Sequence, residues 1–214
     1  MLAIVQARCS SKRFPNKILK IVHGKPLIHH VILKLLKSKK ISKIIVATSN
    51  HKSDEKLAKY LKKIKVQFFR GSLQNVAKRI LDLALLKKKN FFIRISGDSP
   101  LIDYKLVDQA ISIFNKNKKY DLVTNIFPRS FPKGQSVEIV RTDILKKNIH
   151  KMGKLEKEHV TKYFYKHSKN FYIKNFRNKL KTRFIKLAVD NKKDLAKILK
   201  KIDKKKFKNY SIYD

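Results

Sequence analysis

Glycine is scarce in this chain. There are five in 214 residues, at positions 24, 71, 97, 134 and 153. Neither a GxxxxGK[ST] loop nor a G-x-G-x-x-G turn can be assembled from them, so the two commonest glycine-rich phosphate cradles are excluded. Cysteine occurs once, as Cys9; no internal disulfide forms, and a reducing cytoplasm is the expected compartment. No run approaches the roughly 18 apolar residues that a membrane span needs, and the first residues lack the pattern of a secretion signal. Acidic residues are few: 15 Asp+Glu stand against 54 Lys+Arg, a net charge of +39. That balance invites a nucleic-acid-binding reading. Against it, 45 of the cations are lysines and only 9 are arginines, spread over nearly every segment. Nucleic-acid readers favour the arginine fork, so no specific nucleic-acid partner is expected.

At 43% apolar residues the chain has the material for a globular core, and residues 1–214 are read as a single domain. Residues 2–5 form a short buried strand that runs into a polar loop bearing Arg8, Lys12, Arg13 and Lys17, with no acid among them. A strand feeding a cationic loop and then a helix places that loop at the carboxyl edge of a sheet, where α/β proteins hold phosphates. Apolar periodicity predicts helices over 26–39, 53–64, 73–86 and 105–115. They alternate with strands over 43–49, 66–70 and 91–96, the pattern of a parallel sheet covered on both faces. The rhythm then changes. Strands are expected at 122–127, 136–141, 171–176 and 184–189, with helices near 142–151 and 157–167. A last helix at 192–202 precedes a lysine-rich tail. The fold class is therefore α/β, a three-layer sandwich whose mostly parallel sheet gains a mixed-strand extension.

Two aspartates end apolar strands: Asp98 in FFIRISGD and Asp190 in LAVD. Each has a plain alternative, Asp98 as a turn residue before Pro100 and Asp190 as a helix cap. Beside a cluster of cations sized for a triphosphate, the pair also suits Mg²⁺, which takes one or two carboxylates plus phosphate oxygens. The adjacent His29 and His30 have no metal-ligand spacing, and Cys9 reads as a small filler.

The motifs also carry a resemblance. QARCSSKRFPNK at 6–17, FFRGSLQNVAKR at 68–79, ISGDSPLID at 95–103, FPKGQSVEI at 131–139, EKEHVT at 156–161 and VDNKKDL at 189–195 resemble, in order, the motifs of the cytidylyltransferases that make CMP-activated sugars, above all their spore coat polysaccharide branch. The resemblance implies a nucleotide-diphospho-sugar transferase fold of Rossmann-like type. It implies CMP transfer from CTP to a sugar acid with release of pyrophosphate, Mg²⁺ as cofactor, and a homodimer. Phe127, Phe131, Phe164, Tyr165 and Phe171 are then candidates for the dimer contact. It implies catalytic roles for Arg8, Arg13 and Lys17, and metal ligation by Asp98 and Asp190. The nucleotide would meet Gln6, Ala7, Arg8, Ser11, Lys17, Arg70, Gly71, Ser72, Arg79 and Gly97, and the sugar would meet Glu138, Glu158 and His159. Departures from the motifs are Ser10 and Asn16 in place of glycines, and Asn75, Lys78 and Ser136 in place of aspartates. They motivate the alternative of a catalytically degenerate, nucleotide-binding member.

Overall fold

A computed structural model describes residues 1–178 and 185–212. Its strands are β1 (Leu2–Gln6), β2 (Ile21–Val22), β3 (Lys25–Pro26), β4 (Lys43–Ser49), β5 (Phe68–Gly71), β6 (Phe91–Ser96), β7 (Leu122–Thr124), β8 (Glu138–Arg141) and β9 (Ile173–Asn175). Its α-helices are α1 (Leu27–Leu35), α2 (Glu55–Lys63), α3 (Val76–Leu86), α4 (Tyr104–Lys116), α5 (Thr142–Asn148), α6 (Lys154–Glu158), α7 (Lys162–Lys166), α8 (Lys192–Lys201) and α9 (Lys204–Asn209). β2 and β3 form a small antiparallel ribbon, and the other strands make one sheet in the order β5-β4-β1-β6-β8-β7-β9. β1, β4, β5 and β6 are mutually parallel, while β8 runs antiparallel to both β6 and β7.

Alternating side chains divide the sheet between two cores. Val5, Val46, Ile93 and Ile95 point to the face covered by α1, α2 and α4. Leu2, Ile4, Ile45, Ala47 and Phe92 point to the face covered by α3, α5 and the Val160–Phe164 stretch. This is the expected three-layer α/β arrangement with its mixed extension. No helix among the described residues is long and apolar enough to cross a membrane.

The elements differ from expectation where side chains overrule periodicity. α3 starts at Val76 rather than 73, because the Asn75 side chain caps it by accepting from Lys78 N at 2.9 Å. The helix expected over 157–167 is broken into α6 and α7 at His159–Thr161, where Thr161 Oγ1 donates to Glu138 at 2.6 Å. The strand expected over 184–189 begins outside the described residues, and its described part is an irregular segment with a single parallel bridge, Lys133 to Lys186. Its backbone bonds run from Leu187 N to Lys133 O at 2.7 Å, within that bridge, and from Val189 N to Asp98 O at 2.9 Å. The lysine-rich tail contains α9, whose Phe207 is buried with Phe14, Leu101 and Val189 in a third, smaller core. The aromatics considered for a dimer contact pack within the chain. Phe131 and Phe164 are buried, Phe127 stacks on Tyr165 at 4.7 Å, and Phe171 sets its edge against Phe164 at 5.0 Å.

Candidate active site

The carboxyl ends of β1, β4, β5 and β6 form one rim. Beyond β1 the chain closes a loop on itself, with Ser11 N and Asn16 N both donating to Cys9 O at 2.9 Å. Asn16 has φ 56°, in the left-handed region. Glycine adopts that conformation most readily and asparagine next, so the replacement at 16 keeps the turn. The loop is anchored from below by Asp54, which the sequence reading missed. This fully buried carboxylate accepts from Cys9 N at 2.6 Å, Thr48 Oγ1 at 2.9 Å, Ser49 N at 2.9 Å and Ser49 Oγ at 2.5 Å. Four donors offset the cost of burying its charge. Hydroxyls ending a strand just before an aspartate that opens a helix were the available signal. Burial, and then Asp54, push the Cys9 thiol up to about 12, so it is inert filler.

Lys17 is the centre of the site. Only 9% exposed, its Nζ donates to Asp98 Oδ2 at 2.6 Å and Val189 O at 2.9 Å, and lies 3.7 Å from Asp190 Oδ1. Ninety-two positions separate the two aspartates in sequence, yet one ammonium reaches both. Asp98 also accepts from Ser96 Oγ at 2.7 Å. Asp190 does not cap α8; Asn191 does, accepting from Asp194 N at 2.9 Å. That removes the plain reading of Asp190. Burial works to raise the Asp190 carboxyl, but Lys186 at 2.9 Å, Lys17, and Arg13 at 3.2 Å outweigh it and hold it below its ordinary value. The donor set of two carboxylates around one cation position suits a hard divalent ion such as Mg²⁺.

The remaining residues fall into three groups. Arg8 pairs with Glu158, and exposed Arg13 reaches Asp190. Both therefore stand on the same loop as Lys17. Gln6 Oε1 accepts from Arg94 Nε at 3.1 Å, Ala7 N donates to Ala47 O at 3.1 Å, and Ser11 Oγ accepts from Phe14 N at 3.4 Å. Gly97 is where strand ends crowd: a Cβ there would come within 2.9 Å of Gln6 O.

Around β5, Arg70 is tied to Glu55 at 2.7 Å and to Ser49 O at 3.0 Å. Arg79 is fully buried, donating through Nη1 to Ser72 O at 2.7 Å. Its Cγ would be 2.9 Å from a Cβ at Gly71, so glycine lets the loop lie against it. Arg79 thus supports this loop from beneath and offers no surface for direct contact. Burial lowers its pKa to about 10, with Asp54 opposing and Arg8 adding to the effect; it stays charged at neutral pH.

Glu158, which pairs with Arg8, is not among the residues lining a cleft of about 490 Å³ next to Asp98; the other two sugar candidates, Glu138 and His159, line it. Glu138 is its buried floor, accepting from Arg94, from Thr161 Oγ1 at 2.6 Å and from Tyr165 Oη at 2.5 Å. It is a structural hub rather than a free contact. Burial, and then Glu138, raise the Tyr165 phenol well above its ordinary value, so it stays a donor. His159 lines the cleft. Partial burial lowers its pKa, opposed by Glu158 and assisted by Arg94, Lys162 and Arg8, so the imidazole is neutral at pH 7.

The model of the cytidylyltransferase family matches residues 2–212. The chain belongs to the cytidylyltransferase family. This cytidylyltransferase is 28% identical over 208 residues to the spore coat polysaccharide biosynthesis protein of Bacillus subtilis, covering 92% of this chain and 84% of that one. It is 32% identical over 112 residues to the 3-deoxy-manno-octulosonate cytidylyltransferase of Geotalea daltonii, covering 51% of this chain and 43% of the relative. A cytidylyltransferase structure from Leptospira borgpetersenii serovar Hardjo-bovis superposes with a TM-score of 0.88 at 28% identity, covering 92% of this chain and 84% of that one. The cationic loop and carboxylate pair of this cytidylyltransferase are suited to holding a nucleoside triphosphate and discharging its pyrophosphate.

Proposed function

We propose that this cytidylyltransferase transfers CMP from CTP to a sugar acid, releasing pyrophosphate, in the making of a cell-surface polysaccharide or glycoconjugate. The observation that carries the reading is the convergence of Asp98 and Asp190 on Lys17 at the mouth of the cationic loop. In this reading Arg8, Arg13 and Lys17 bind the β- and γ-phosphates and neutralise the charge that gathers on the leaving group as the Pα–O–Pβ bond breaks. The acceptor hydroxyl oxygen bonds to Pα from the side of the cleft as the Pα–O–Pβ bond breaks, and its proton passes to water. Asp98 and Asp190 would hold Mg²⁺, and the ion when bound supplies positive charge to the α-phosphate. The names of the relatives support a sugar acid as acceptor and a polysaccharide as destination.

The test is pyrophosphate release from CTP with a panel of eight- and nine-carbon ulosonic acids, with and without EDTA. Metal-dependent release with at least one acid is expected; CTP binding without turnover across the panel would leave a nucleotide-binding protein only. The proposal includes a homodimer, and a monomeric mass by light scattering in enough salt to suppress charge repulsion would remove that part.

A further inference from the structure

The cleft beside Asp98 contains a guanidinium that forms no ion pair among the described residues and feels the carboxylate of Glu138 only at longer range. Both carboxylates lining the cleft are engaged, Asp98 by Lys17 and Glu138 by Arg94, Thr161 and Tyr165. Arg129 also lines the cleft and is half-buried. Its hydrogen bonds go to neutral acceptors, Nη1 to Pro132 O at 3.5 Å and Nη2 to Ser136 Oγ at 3.1 Å. It has no ion pair among the described residues. Ser136 stands where the family motif has an aspartate, so the partner that would compensate Arg129 is missing in this chain. Burial lowers the Arg129 pKa and Glu138 only partly opposes it; a charge partly withdrawn from water without a direct ion pair is costly, and the guanidinium fork matches a carboxylate in shape and donors.

The segment carrying Arg129 is also held against the metal-ligand segment. Gly134, at φ +103°, lies so close to Leu187 and Ala188 that a Cβ would be 2.6 Å from their backbone. Leu187 N donates to Lys133 O at 2.7 Å. A group on Arg129 is therefore in fixed relation to the segment leading to Asp190. Lys133 and Lys162 add positive charge at the cleft.

We propose that Arg129 is the specificity-determining residue that reads the acid of the acceptor: its unshared donors take the acceptor carboxylate in this cleft, so that a carboxylate is required there. The proposal rests on the CMP-transfer reading above. It is tested by calorimetry on wild type, Arg129→Gln and Ser136→Asp. The last places a carboxylate beside Arg129 and neutralises it without removing it. Each protein is titrated with CTP and Mg²⁺, and then, with nucleotide bound, with eight- and nine-carbon ulosonic acids and hexuronic acids, each beside its carboxamide.

Wild type should prefer at least one acid over its amide by about 10- to 100-fold, the range of a charge-assisted hydrogen bond. Both variants should lose that preference through weaker binding of the acid alone, with CTP affinity unchanged. No acid preference in wild type, an acid preference retained in both variants, or equal loss of acid and amide would overturn the assignment. Absence of CTP binding in wild type would instead sink the transfer reading, and the acceptor proposal with it.

Discussion

Asp190 shows how a residue's neighbours exclude a role that its sequence position allows. A strand-end aspartate before a helix is a good cap, but Asn191 takes the cap, and Asp190 faces Lys17 and Asp98. Asp190→Asn should therefore leave the fold in place, costing about 1 kcal/mol or less in lost ion pairing. Pyrophosphate release should drop about 100-fold, equivalent to about 3 kcal/mol of transition-state stabilisation. Asp98→Asn should behave alike, and the double variant should lose far less than the sum, because both serve one cation position. Thermal melts alongside turnover check this; full activity in Asp190→Asn would leave Asp98 as the sole ligand. Asp190 and its neighbour Asp194 set an acid limb. Asp190 and Asp194 are both held below their ordinary 3.8, burial being outweighed by Lys186 and, at Asp194, also by backbone N–H groups. Above the unfolded value both states are ionised and the stabilisation is complete. As pH falls through 3.8 toward the lower folded values, the unfolded chain takes up protons first and stability is lost. Urea unfolding should thus weaken below about pH 4, and Lys186→Met should flatten that limb.

Among elements, the breaks carry the function. One helix is expected over 157–167, but the chain breaks at His159–Thr161, which sends Thr161 to Glu138 and leaves His159 on the cleft. The loop at 128–134 lies on the 186–189 segment. Gly134 permits that contact both by its positive φ and by its missing Cβ. Gly134→Ala meets backbone at 2.6 Å, and backbone has no flexible end to move aside. We expect a loss of about 2–3 kcal/mol, at the upper end of local strain. Limited proteolysis should show earlier cutting in 128–136 or 186–190; an unchanged melting temperature and cleavage pattern would refute the stitched contact.

Over the whole molecule, the C-terminal segment closes the fold beneath the site. Phe207, 1% exposed, packs with Phe14 of the cationic loop, Leu101 just after Asp98 and Val189 just before Asp190. Asp103 holds the end of this segment through Ser211 Oγ at 2.9 Å and Ile212 N at 2.8 Å. The cationic loop and the segments that follow Asp98 and precede Asp190 thus share one small core with the tail. Phe207→Ala should cost about 3–5 kcal/mol and weaken binding of CTP with Mg²⁺, read by calorimetry; Phe207→Leu should restore most of both. Retained nucleotide affinity in a destabilised Phe207→Ala would show that the small core only supports the fold.

Much of this was legible in the sequence. Local patterning determined the alternating strands and helices of residues 2–116, because apolar spacing of two or 3.6 residues is a property of neighbouring positions. It placed Lys17 in the loop after β1 and Asp98 just beyond β6, on one rim, whereas Asp190, expected to end a strand, follows an irregular segment. The order of motifs named the family. Tertiary structure decided what depends on partners distant in sequence. That Lys17 reaches both aspartates and that Asp54 rather than a glycine cradle fixes the loop follow from contacts across 45 positions or more, and that Arg79 and Glu138 lie beneath the site follows from their burial. The tail read as solvated lysines because its exposed residues outnumber its buried ones. Only the packed molecule shows that Phe207 and Ile212 have a core to enter, since burial depends on what the rest of the chain brings alongside.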